Sequence, residues 1–139
     1  MAKFIKSAGT SIDSALFELE SNGIADALIR AKDRGVKVRM VVESDYVANP
    51  EMQRILRAGI PVVEDKRSSY MHNKFFVVDS SAVWTGSLNP TDIGARKNNN
   101  NSLEADSRSL RHPIMSYLLP TTRVGLVTIS YRSREENRG

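Results

Sequence analysis

Met71-His72-Asn73-Lys74-Phe75-Phe76-Val77-Val78-Asp79, followed after a short gap by Gly86-Ser87-Leu88-Asn89, is the stretch that decides how this chain reads. A run so rich in Phe and Val favours a β-strand. Side chains alternate across a strand, so His72 and Lys74 are expected on one face, with Asn73, Phe75, Val77 and Asp79 on the other. An imidazole and an ammonium are both costly to bury unpaired. Together they suit a place where an anion is held beside a nucleophile. Asp79-Ser80-Ser81 has turn composition, and Ala82-Val83-Trp84-Thr85 reads as a second strand pairing with the first. Gly86-Ser87-Leu88-Asn89 then leaves that strand as a loop beside His72. Ser87 and Asn89 are neutral hydrogen-bonders suited to the oxygens of a phosphate or another oxyanion.

At 139 residues the chain has room for one core. It has no cysteine, which excludes disulfides and thiolate metal sites, and its two histidines make a His-rich metal centre a poor expectation. No metal or cofactor is therefore expected. No apolar run approaches the roughly 20 residues needed to span a bilayer. Met1-Ala2-Lys3-Phe4-Ile5-Lys6-Ser7 lacks an apolar signal core. A cytoplasmic protein is the simple expectation, and a chain with its export signal removed would read the same. The formal net charge of +4 is unevenly spread. Residues 1–104 hold 14 basic and 13 acidic side chains, whereas residues 105–139 hold 6 and 3. A high pI signals attraction to polyanions, but here the basicity sits in the tail rather than in the body.

In chain order, residues 4–13 read as the end of a first helix, with Ile5 and Ile12 buried, and Ala15–Leu19 as a short strand. A helix is expected over about 24–34, where Ile24, Ala27, Leu28 and Ala31 recur at helical spacing and Gly35 supplies the stop. Val36–Val42 begins alternating and ends fully apolar, as a buried parallel strand does. Asn49-Pro50-Glu51 combines a capping residue with a proline just inside a helix that runs to about Arg57, ended by Gly59. Ile60–Glu64 is the next strand. The alternation predicts an α/β fold: a mixed, mostly parallel β-sheet flanked by helices. Beyond Asn98-Asn99-Asn100-Asn101 the composition shifts to Ser and Arg, with Pro113 and Pro120. Within that tail Leu126–Tyr131 reads as a strand or as merely sticky, and His112 as a bystander. Two regions follow: a domain over 1–104 and a divergent Ser/Arg-rich segment over 105–139.

His72-x-Lys74, Asp79 and Gly86-Ser87-x-Asn89 together resemble the HKD motif of the phospholipase D superfamily, complete in identity and spacing. Ser21–Leu28 and Arg34–Arg39 resemble the segment that precedes the motif in bacterial members. The likeness covers about two thirds of the chain. It implies a phospholipase D-like half unit, with His72, Lys74 and Asp79 as the catalytic set and Lys74, Ser87 and Asn89 contacting phosphate. It also implies cleavage of phosphodiesters without metal, through a phosphohistidine. Two histidines are needed and the motif occurs once. Single-motif members solve this by dimerising, so a two-fold homodimer sharing one site is expected.

For each residue a blander role stands beside this one. A lone histidine is commonly structural, and Lys74 alone would be a solvated charge. Ser87 and Asn89 suit plain turns. Asp79, on the other strand face, suits backbone donors or a cation better than direct chemistry. In the family an acidic residue near the Asn-rich stretch often orients the histidine; here that region offers Asn100, with Glu104 the nearest carboxylate. Single-motif members of this size resemble nonspecific endonucleases, which makes nucleic acid the first substrate expected and phospholipid the second. An inactive module that binds nucleic acid or dimerises is the reading from outside the enzyme class.

Overall fold

In a computed structural model, residues 1–66, 68–91 and 99–106 are described. The tail strand proposed at 126–131 and His112 lie outside them. The element order is α1 (Ala2–Lys6), β1 (Ser11–Leu16), α2 (Asn22–Asp33), β2 (Lys37–Glu43), a 3-10 turn (Ser44–Tyr46), α3 (Pro50–Arg57), β3 (Val62–Asp65), β4 (Lys74–Val78), β5 (Ala82–Gly86) and β6 (Ser102–Asp106). The six strands form one sheet in the order β3-β2-β1-β4-β5-β6. β1–β2 and β2–β3 are parallel, whereas β1–β4, β4–β5 and β5–β6 are antiparallel. The α/β sheet is thus mixed, but the expectation that it is mostly parallel is corrected. Only strands linked by a helix run parallel, because a crossover is needed to return the chain. The tight turn between Val78 and Ala82 makes β5 return antiparallel to β4.

Helices α2 and α3 end the same way. Gly35 (φ 90°) and Gly59 (φ 77°) take the left-handed conformation that helix ends favour in glycine. Gly35 N donates to Lys32 O and Val36 N to Ala31 O; Gly59 N donates to Leu56 O and Ile60 N to Ile55 O. These paired bonds satisfy the last carbonyls and turn an apolar residue, Val36 or Ile60, into the core. Asn49 stands at the start of α3 as expected, but its side chain does not cap; Nδ2 donates instead to Glu20 Oε1 at 3.2 Å.

The helices cover one sheet face. Ile12, Leu16, Val38, Met40, Val42, Phe76, Val78 and Trp84 pack there against Ile5, Leu28, Met52 and Ile55. Ala15, Met71, Phe75, Val77 and Val83 form a smaller cluster with the opposite strand parity. β4 is therefore buried along its whole length, including Lys74 at its start ahead of the apolar run Phe75–Val78.

The N-terminal reading needs correction. Helix ends at Lys6, and the segment expected to be helical through residue 13 enters β1 at Ser11, where it becomes a central strand. Its pattern hid this, because Asp13 and Ser14 are buried polar residues amid the apolar ones. Asp13 is satisfied by Arg39, its register partner on β2, whose Nε donates to Oδ1 at 2.7 Å. β6 was not expected at all. It is an exposed edge strand, and it runs past the boundary placed at residue 104.

Asp79 anchors the start of β1. Its carboxylate accepts hydrogen bonds from the amides of Gly9, Thr10 and Ser11 and from the Thr10 hydroxyl. Partial burial would raise its pKa, but those donors outweigh burial and hold it down at about 2, against an ordinary 3.8. Asp79 and Ser80 both have positive φ (51° and 56°), and Ser81 N closes the turn onto Val78 O. A depressed carboxylate pKa contributes stability that is full above its unfolded value and is lost as pH falls through the folded one. Asp79→Asn tolerates the left-handed backbone but removes the charge and puts an NH2 where one oxygen accepts, so urea unfolding at neutral pH is expected to show a loss of about 1–2 kcal/mol, discounted for partial exposure. The difference from the parent should disappear as pH falls from about 4 to about 2.

Candidate active site

The chain leaves β1 in one direction through β2 and β3, and in the other lie β4 and β5. Open α/β sheets bind ligands outside the carboxyl ends of their strands, where strand order diverges in this way. The carboxyl end of β1 is Phe17-Glu18, and the motif residues gather there. Leu16 pairs with Lys74, and Phe17 N donates to Asn73 O at 2.8 Å. β4 begins only at Lys74, so His72 stands just before the strand rather than within it. The exposed His72 ring lies edge-on to Phe17, with centroids 4.6 Å apart.

Lys74 is buried, at 6 % exposure, and Nζ donates to His72 O at 3.1 Å while standing 5.2 Å from the Phe17 ring centroid. Burial pushes its pKa down, and the nearby Glu18 charge opposes that. Asn89, half-buried, donates from Nδ2 to Glu18 Oε2 at 3.2 Å. Two rings extend the cluster: Phe17 meets Tyr46 edge-on at 4.7 Å and Tyr70 at 6.0 Å. Tyr70 is 70 % exposed and so opens toward solvent.

Of the residues singled out by sequence, His72, Lys74 and Asn89 thus meet at Phe17-Glu18. Ser87 lies just before Asn89 but faces the Asn-rich stretch: its hydroxyl donates to Asn100 Oδ1 and accepts from Asn101 N, both at 3.1 Å. Asp79 is at the far end of β4, where its oxygens serve the β1 entry. Glu104 pairs across from Trp84 on the helix-covered face, and its Oε1 lies 3.9 Å from the amino group of Met1. It does not orient His72 in this geometry.

Three contributors escaped the sequence reading. Phe17 and Glu18 sit in a stretch read only as a strand. Glu43 ends β2 buried at 2 % exposure, and its Oε2 accepts the Met71 amide at 2.6 Å. A buried carboxylate aimed at the residue before the histidine fixes the backbone from which His72 projects. Its only sequence signal is an acid closing an apolar strand. Among the described residues no cluster of His, Cys, Asp and Glu is arranged to hold a metal ion.

The motif glycine also has a physical reason. A Cβ at Gly86 would lie 2.2 Å from Asn101 O and 2.8 Å from Ser102 Cα, far inside contact distance. Gly86→Ala is expected to push β6 and Asn100-Asn101 away from Ser87 and to cost about 1–3 kcal/mol. Chemical denaturation would measure that loss.

Comparison with known proteins agrees with this geometry. A family model described as "Cardiolipin synthase, PLD-like domain" matches residues 1–119. A mitochondrial cardiolipin hydrolase of Xenopus tropicalis is 37 % identical over 103 residues, covering 73 % of this chain and 49 % of that protein. The chain thus spans about half the length of that relative. Among solved structures, the phospholipase D family member Nuc of Salmonella typhimurium superposes with a TM-score of 0.77 at 29 % identity, covering 84 % of this chain and 80 % of the other. NucT of Helicobacter pylori, at 23 % identity and a TM-score of 0.72, has the same fold with the same coverages. The chain belongs to the phospholipase D superfamily, as a member with a PLD-like domain.

Proposed function

We propose that the chain is one half of a metal-independent phosphodiesterase that cuts DNA or RNA as a nonspecific endonuclease. The observation that carries this is the meeting of an exposed imidazole, a buried ammonium and a carboxamide at one end of the sheet. Lys74 Nζ has donor capacity beyond its bond to His72 O, and Asn89 adds a neutral donor. Such preorganised donors stabilise the extra negative charge that builds on phosphoryl oxygens in the transition state. His72 would attack phosphorus and form a P–N bond as the P–O bond to the leaving group breaks. A second imidazole gives its proton to the departing oxygen, then takes one from the water that attacks phosphorus and releases His72. The chain offers His72 once, so the second imidazole is that of a second copy in an isologous dimer.

Nucleic acid is preferred because the fit to Nuc spans most of both chains, and because Tyr70, on the Phe17 ring that also meets His72, offers an open ring on which a base can stack. The relatives' name, cardiolipin hydrolase, favours a second reading in which the diester is a phospholipid. No helix among the described residues is long and apolar enough to cross a membrane.

Plasmid and RNA cleavage in EDTA, beside headgroup release from cardiolipin vesicles, discriminates these readings. His72→Ala is expected to lower nucleic-acid cleavage by at least about a thousandfold. When equal amounts of parent and His72→Ala subunits exchange, activity should fall to about a quarter of the parent's, because only dimers with two intact histidines work. A fall to a half would mean independent sites. DNA binding without cleavage by the parent protein would sink the enzyme reading.

A further inference from the structure

Glu18 stands where the phosphate donors converge, yet the reaction above gives it no part. Its Oε2 accepts the Asn89 amide at 3.2 Å, and its charge and that of Lys74 act on one another. The other amide atom of Asn89, Oδ1, is buried without a hydrogen-bond partner among the described residues. Buried acceptors are normally satisfied, so the bond to Glu18 is the one that holds this amide. The backbone holds the pair together: Glu20 N donates to Pro90 O at 3.0 Å, and Glu20 bridges Thr91 in parallel. A carboxylate and a phosphodiester offer the same thing to these donors, oxygen atoms carrying negative charge. The two compete for one place.

We propose that the Glu18 carboxylate occupies the position of a substrate phosphate in the empty site, and that a phosphodiester monoanion binds by displacing it, more readily once Glu18 carries a proton. The proposal rests on the reading of Lys74 and Asn89 as phosphate donors. The groups facing Glu18 are Glu20 on the same connection, Lys74 on β4, Asn89 after β5 and Tyr46 on the turn after β2. Burial, then the Glu20 charge, raises the Glu18 pKa above its ordinary 4.5, with Lys74 opposing. The sign is therefore fixed. Falling pH neutralises the competitor, which then holds Asn89 Nδ2 less strongly and leaves it to the incoming oxygen. Anion binding should tighten toward acid pH.

The test is calorimetric titration of bis(p-nitrophenyl) phosphate, whose charge is constant over the range, into His72→Ala protein, so that binding is read without turnover. Glu18→Gln in that background is expected to bind about fivefold tighter at about pH 7.5, the effect of removing one unit charge about 4 Å away in water-like surroundings. It should also flatten the pH dependence between about pH 5 and about pH 7.5. Glu18→Ala, with its fold checked by thermal melting, should shift binding in the same direction. Equal or weaker binding in both variants would overturn the proposal and make Glu18 a support for Asn89. No binding by any form would instead remove the phosphate site itself, and the proposal with it. Tighter binding in a protein that cleaves nothing would leave the proposal standing while the enzymatic reading fell.

Discussion

The antiparallel pairing of β1 with β4 is the constraint on which the site depends. Leu16 opposite Lys74, with Phe17 N bonded to Asn73 O, sets Phe17-Glu18 against His72 and Lys74. A slip of one residue would turn every side chain of β4 to the other face. Lys74 would then point toward the Phe75 and Val77 cluster, and Phe76 would leave the helix-covered core. The register is locked at both ends. Asp79 gathers the amides of Gly9, Thr10 and Ser11 at one, and Glu43 holds the Met71 amide at the other. Two carboxylates bonded to backbone thus define where the histidine begins and where its strand ends.

Much of the fold was legible because glycine, proline and apolar spacing act locally. Gly35 and Gly59 end their helices where the sequence places the stops, and Pro50 opens α3. The errors fall where tertiary structure overrides local pattern. Ser11–Leu16 looks unlike a core strand because Asp13 is buried against Arg39, a partner 26 residues away. The antiparallel half was misjudged because direction is set by connections, not by composition. Spacing named His72, Lys74, Asn89 and Ser87 together, and the first three meet at Phe17-Glu18 while Ser87 turns to Asn100 and Asn101; spacing cannot say which end of β4 each serves. Asp79 shares the motif and lies a strand's length from the imidazole. Phe17 and Glu18 carried no signal, since their importance comes from the register that delivers them.

Burying Lys74 imposes a cost that the site must offset. A buried ammonium without compensation is penalised by several kcal/mol. Three neighbours reduce that penalty: the His72 carbonyl, the face of Phe17 and the negative charge of Glu18. Only the last is an anion. If Lys74 receives a phosphate as proposed, its one anionic neighbour in the empty site is the group that most resembles the ligand. Stability without ligand and affinity for ligand would then be set against each other at a single side chain, a conflict expected wherever function demands exposed or unpaired charge.

The charge distribution fits that local logic. The first 104 residues are almost neutral, with 14 basic and 13 acidic side chains, so no broad positive field draws a polyanion to the sheet's end. Around the imidazole, Glu18 and Glu20 add negative charge rather than positive, leaving the buried Lys74 to face any phosphate. Recognition then has to come from short-range donors and from the aromatic wall of Phe17, Tyr46 and Tyr70, not from long-range attraction. In the proposed dimer such a surface would gain more than the second histidine. Two half-sites facing each other would double the number of lysines and asparagines around one phosphate, and would exclude the water that weakens each of them.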